Sequence, residues 1–125
     1  MKLGELEVYK ISREISGEVW QVYKKFDWQM QKIVGEQWVR SVDSISANIV
    51  EGWGRFHYLD KNKFNYNARG SLYESLDWTD KFRERDKINQ EEFISIINKL
   101  KLCLKKLNSY IKSTKSQANK KDKIK

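Results

Sequence analysis

Val8, Ile11, Ile15, Val19, Val22 and Phe26 follow one another at spacings of three and four residues, and the same rhythm returns three more times along the chain. That period lays apolar side chains along one face of an α-helix. The first segment runs from Gly4 to Phe26. The second runs from Met30 to Gly52, with Val34, Trp38, Val42, Ile45 and Ile49 inward. The third begins at Leu59 or Asp60 and ends at Arg85, on a stripe of Phe64, Ala68, Ser71, Ser75, Trp78 and Phe82. The fourth, from Gln90 to Ile111, carries Phe93, Ile97, Leu100, Leu104, Leu107 and Ile111, with Ile96 and Cys103 beside them. No proline occurs in the 125 residues, so nothing breaks a helix interior by removing a donor and crowding the preceding turn. Four amphipathic helices of about 20 residues on short connections predict an all-α, up-down-up-down antiparallel four-helix bundle in one domain.

Local signals set the segment ends. Asp27 can cap the second segment or end the last turn of the first. Asn89 with Glu92 reads as a capping box for the fourth, each side chain satisfying the other's backbone N–H. Gly52 and Gly54 read as helix-ending residues in left-handed conformation. Asn48, beside the second stripe, must satisfy a buried amide and is expected to bond a neighbouring helix. The small residues in the middle of the third stripe let two axes approach. Tyr66, Gly70 and Tyr73 fall on its opposite face, where a bundle helix is normally polar. They are the expected oligomer interface.

Beyond Ser113 the periodicity stops. From Lys112 onward there are six lysines and one aspartate, a net +5 of the chain's +8. Residues 1–113 are therefore expected to form the bundle and residues 114–125 a disordered basic tail. Such a tail suits nucleic acid, an acidic partner or an anionic surface, and equally a merely solvated terminus. Cys103 is the single cysteine, which excludes an internal disulfide and a cysteine-based zinc site and fits a reducing compartment. The acidic N-terminus does not resemble a signal peptide, and no apolar run reaches the roughly 20 residues of a membrane span. The expectation is a cytoplasmic protein without membrane association.

Catalytic patterns are missing. His57 is the only histidine and has no nucleophile beside it in sequence. Gly52-Trp53-Gly54 follows a helix rather than a strand, unlike a phosphate-cradling loop. Glu51, Glu74 and Asp77 suggest a carboxylate cluster inside the bundle, but the Glu-x-x-His motifs of di-iron bundles are absent. No enzyme activity, metal, cofactor or small-molecule substrate is expected. Arg55, His57, Lys61 and Lys63 instead gather around the second connection with Phe56 and Tyr58. Cations meet phosphates and aromatics stack on bases in single-stranded nucleic acid. The plain alternative is a loop whose aromatics close the end of the bundle.

Three motifs carry a family resemblance. Ser44-Ile45-Ser46-Ala47-Asn48-Ile49-Val50-Glu51-Gly52-Trp53-Gly54-Arg55 ends the second segment, Ala68-Arg69-Gly70-Ser71-Leu72-Tyr73-Glu74-Ser75 lies in the third, and Leu6-Glu7-Val8-Tyr9 opens the first. Over residues 3–113 the chain resembles the bacterial four-helix-bundle proteins encoded in intervening sequences of 23S ribosomal RNA genes. It also resembles the related accessory variability determinant proteins of diversity-generating retroelements. The resemblance implies a left-handed bundle, a closed homopentameric ring, association with nucleic acid and, in the retroelement branch, contact with a reverse transcriptase. Arg40 stands where the family has a basic residue in its second helix, and Arg55 ends the glycine motif. The chain departs from the pattern at Asp27 and Ser46, where proline is common, and at Asp86, where many members turn with glycine. The nucleic-acid site expected from all this comprises Arg40, Arg55, His57, Lys61, Lys63, Lys115, Lys120 and Lys121, with RNA ahead of DNA as the ligand.

Overall fold

The computed structural model describes residues 1–124, with side chains to Lys120. A 3-10 turn, Leu3–Glu5, leads into α1, Glu7–Tyr23. Helix α2 is continuous over 28–53: an α-turn Trp28–Met30, a π-helical stretch Gln31–Gly35, and α-helix Glu36–Trp53. Helix α3 is Tyr58–Glu84 and α4 is Gln90–Ile124. Helix α2 packs on α1 and α3, and α4 closes the ring between α3 and α1. Cross-helix bonds fix the antiparallel sense. Lys25 and Lys99 pair with Glu92 and Glu18 across α1 and α4, and Trp38 and Ser44 meet Thr79 and Ser71 across α2 and α3. The described residues therefore form the expected four-helix bundle, without a strand.

The stripes on α1, α2 and α4 face the core, with Ile15, Trp38, Ile45, Leu100 and Cys103 at 0% exposure and Phe26, Val34, Phe93 and Leu104 half-buried against it. Asp27 Oδ1 accepts from Met30 N at 2.7 Å and starts α2. Asn89 and Glu92 form the reciprocal capping box, at 2.9 and 2.8 Å. At the end of α3, Asp86 holds φ 56° while Lys87 N donates to Phe82 O and Asp86 N to Arg83 O. This is a Schellman ending with an aspartate in the left-handed position that glycine usually occupies.

Several expectations are corrected. The buried face of α3 is Asn62, Asn65, Ala68, Leu72, Ser75, Thr79 and Phe82, whereas Phe64, Ser71 and Trp78 are half-buried. Ser41, Ser71, Ser75 and Thr79 form a hydroxyl seam between α2 and α3. Trp38 Nε1 donates to Thr79 Oγ1 at 3.1 Å and Ser75 Oγ lies 3.1 Å from Ser41 Oγ. Asn48 is only half-buried and donates to Ser44 O and Oγ of its own helix; Ser44 Oγ, accepting from Ser71, makes the bridge to α3. No described glycine has positive φ. Gly52 is required for another reason: a Cβ there would lie 2.9 Å from Lys61 O and 3.1 Å from Phe64 Cβ, so the backbones of α2 and α3 approach closely at this point. Separately, α4 continues past Ser113 with Thr114 and Ala118 buried, while the side chains of residues 121–125 of the expected tail lie outside the described residues.

Candidate nucleic-acid interface

The two ends of the bundle differ. The α1–α2 and α3–α4 connections meet at one end, where Phe82 is flanked by Trp38 at 4.9 Å, Phe26 at 5.5 Å and Trp78 at 5.9 Å between ring centroids. The N-terminus, the α2–α3 connection and the late turns of α4 meet at the other. There Lys61 Nζ donates to Trp53 O at 3.1 Å, satisfying a carbonyl at the C-terminus of α2, and lies 5.5 Å from the Trp53 ring centroid. Arg55 pairs with Glu51 at 2.7 Å and sits 4.7 Å above the Phe64 ring. These side chains rim a cavity of about 580 Å³ whose walls include Trp53, Tyr58 and Tyr110, with Thr114 from α4. Burial pushes the Tyr110 phenol above its ordinary pKa, so it stays neutral and offers a hydroxyl, not a charge.

The structure brings Arg55, His57, Lys61 and Lys63 to this open end. His57 precedes the first turn of α3 with its ring edge-on to Phe56, 5.1 Å between centroids, and is exposed like Lys63. Lys115 lies nearby on α4, its Nζ 5.7 Å from the Tyr66 ring, and Lys120 is exposed. Arg40 is not brought to the patch: fifteen residues before Arg55, and on the helix that Arg55 follows, it stands about 22 Å away along the axis. The side chain of Lys121 falls outside the described residues. On the outer face of α3, Gly70 and Tyr73 are exposed and a Cβ at Gly70 would meet nothing within 4 Å. Tyr66, on the same face, is flanked by Arg69 as well as Lys115.

Sequence reasoning missed the charge of α4 itself. From Phe93 to Lys121 the chain holds eight lysines and no aspartate or glutamate. Helix α4 is thus acid-free over nearly its whole length, and the basic bias does not begin at residue 112. Counting acids within each helix, instead of net charge at the terminus, reveals it. Arg69 and Asn108, joined at 3.1 Å across α3 and α4, were missed with it.

Nothing reactive is assembled among the described residues. Glu51, Glu74 and Asp77 are all exposed instead of clustered inside; Glu51 pairs with Arg55, and Asp77 with Lys81 at 2.7 Å. No group of three His, Cys, Asp or Glu side chains among the described residues is placed to hold a metal ion. Cys103 is enclosed by the core, and burial pushes its thiol pKa up to about 12, which removes the thiolate that nucleophilic chemistry needs. No helix among the described residues is long and apolar enough to cross a membrane.

Residues 4–109 match the model of the 23S rRNA-intervening sequence protein family. The chain belongs to that family. The match runs from just before α1 to the middle of α4, so it includes the α2–α3 connection, while Tyr110, Thr114 and Lys115 lie beyond it. Among solved structures, a crystal structure of a protein of unknown function from the S23 ribosomal protein family of Bacteroides thetaiotaomicron is similar to this family member. It shares 27% identity and a TM-score of 0.78 over 84% of this chain and 98% of that one. No curated protein matches the chain.

Proposed function

We propose that this protein is a non-catalytic, oligomeric, RNA-binding bundle of the ribosomal-RNA intervening-sequence kind, acting in the cytoplasm. The observation that carries the reading is the acid-free, lysine-rich stretch of α4 from Phe93 to Lys121, which runs past an open, aromatic-walled end bearing Arg55 and Lys61. Lysines displace counterions from phosphates, which supplies affinity without sequence preference. Trp53, Phe56 and Tyr58 offer ring surface to unpaired bases, which favours RNA loops over duplex. The homopentameric ring implied by the resemblance would form through Gly70 and Tyr73 on α3, and it would multiply weak contacts through avidity.

A salt titration of RNA binding tests this. The intact chain binds at about 50 mM salt, and deleting residues after Ser113 weakens binding and flattens the log-affinity slope by about 0.7 for every phosphate no longer neutralised. No binding at that salt would overturn the reading. The second reading is an adaptor ring whose partner is a protein, such as the reverse transcriptase of the retroelement branch. It is favoured by Trp28 and Ile33, exposed at 68% and 70% at the end of the bundle opposite Arg55 and Lys61.

A further inference from the structure

We infer that the α3–α4 surface at Tyr66 holds one unpaired nucleotide of a single-stranded RNA. The base stacks on Tyr66, and Arg69 and Lys115 take the adjoining phosphates. The inference rests on the RNA-binding reading and adds a site, a strand form and a role for each residue. Among the described residues, Tyr66 alone is approached by two cations: Arg69 Cζ at 5.0 Å and Lys115 Nζ at 5.7 Å from the ring centroid. Each other ring that a cation approaches meets a single one, and two of those cations are neutralised. Lys81 over Trp78 has Asp77 at 2.7 Å, and Arg55 over Phe64 has Glu51 at 2.7 Å. Neither Arg69 nor Lys115 has an ion-pair partner among the described residues.

Arg69 is instead held by a neutral group, donating to Asn108 Oδ1 at 3.1 Å. That bond fixes the guanidinium without consuming its charge, leaving its other donors for an anion. Lys112 lies between Asn108 and Lys115 in sequence, four residues after one and three before the other, and so shares their side of α4. Two cations therefore flank one ring with Lys112 on the same side of α4, and α4 carries no carboxylate between Phe93 and Lys121. Like charges gathered this way repel, and a phosphodiester removes the repulsion. Lys115 reaches the ring on a flexible stem, so a base can take the ring face when the ammonium turns to a phosphate. A subunit contact through Tyr66 would instead bury unneutralised cations, which is strongly unfavourable. Tyr73, two turns further along α3 and exposed, carries no such objection.

The test is fluorescence anisotropy with a labelled 12-nucleotide oligouridylate and with a 12-base-pair RNA duplex, on the full chain. Tyr66→Leu is expected to weaken single-strand binding by roughly 5- to 100-fold, the usual effect of removing one stacking ring, and to leave duplex binding unchanged. Tyr66→Phe keeps the ring and is expected to bind like the parent, which separates stacking from a folding defect. Arg69→Gln and Lys115→Gln should each flatten the single-strand salt slope by about 0.7. Unchanged oligouridylate binding by Tyr66→Leu, with the parent binding well, would overturn this site and leave the RNA-binding reading standing. A parent that binds neither probe would overturn both. A fall in sedimentation mass for Tyr66→Leu would make Tyr66 a contact between copies of the chain, and would also overturn the site.

Discussion

The two ends of the bundle solve the same packing problem with opposite materials. At the closed end Phe26, Trp38, Trp78 and Phe82 fill the space between four helices, and Ile88 seals it from the α3–α4 connection. At the open end the interior is polar. Asn62 Nδ2 donates to Ile111 O at 3.1 Å, Asn65 Nδ2 donates to Asn62 Oδ1 at 2.9 Å, and Asn65 Oδ1 is buried without a partner among the described residues. An unpartnered buried amide oxygen costs about 1–3 kcal/mol. The fold is thus anchored at one end, which leaves the other polar, basic and hollow.

Breaking the closed end is the severest test of that division. Phe82→Ala removes the ring on which three others converge and should cost about 3–5 kcal/mol in denaturant unfolding. RNA affinity of the folded fraction should be unchanged. Gly52→Ala drives a methyl into the backbone of α3 at the open end, where the nearest atom is a carbonyl oxygen that cannot swing away. It should cost about 1–3 kcal/mol and, unlike Phe82→Ala, weaken RNA binding by displacing Lys61. Asp86→Gly should raise stability by up to about 1 kcal/mol, because glycine takes the left-handed angle without a Cβ clash. Its effect belongs to the closed end, so RNA binding again stays constant.

The smallest effect concerns Glu92. Burial of its carboxyl works to raise the pKa, but the bonds from Lys25 and the Asn89 backbone outweigh it and hold the pKa below the usual carboxylate value. The fold therefore gains stability from Glu92 above the unfolded carboxyl pKa, and loses it as pH falls through the lower folded value. Lys25→Met should flatten the acid limb of the stability profile without altering stability above neutral pH by more than about 1 kcal/mol, the upper end for a surface pair.

Much of the fold was legible because three helices bury apolar stripes of regular period. The start of α2 at Asp27 and the start of α4 at Asn89 were legible because a cap is a local matter of two or three residues. Helix α3 was read only in part, since its buried face depends on partners that periodicity does not see. Asn62 and Asn65 look like surface residues until Asn62 finds Ile111 O and Asn65 finds Asn62, and Thr79 does so until Trp38 donates to it. Gly52 was noticed but given the wrong reason, because its need for a bare Cα comes from the α3 backbone opposite. For the candidate site, Arg55 and Lys61 are neighbours in sequence and lie together at the open end. Arg40 does not lie with them, since helix rise separates what a motif joins. Arg69 and Lys115 are 46 positions apart and meet only because α3 and α4 run antiparallel.

The five tryptophans allow one direct test of where RNA sits. Trp53 lines the open cavity, while Trp28, Trp38 and Trp78 lie toward the closed end and Trp20 near the end of α1. Incorporation of 5-fluorotryptophan gives each its own fluorine resonance. Adding single-stranded RNA should shift or broaden the Trp53 signal and leave the other four in place. Movement of the Trp28 signal with Trp53 unaffected would put the ligand at the closed end and contradict the assignment of RNA to the open one.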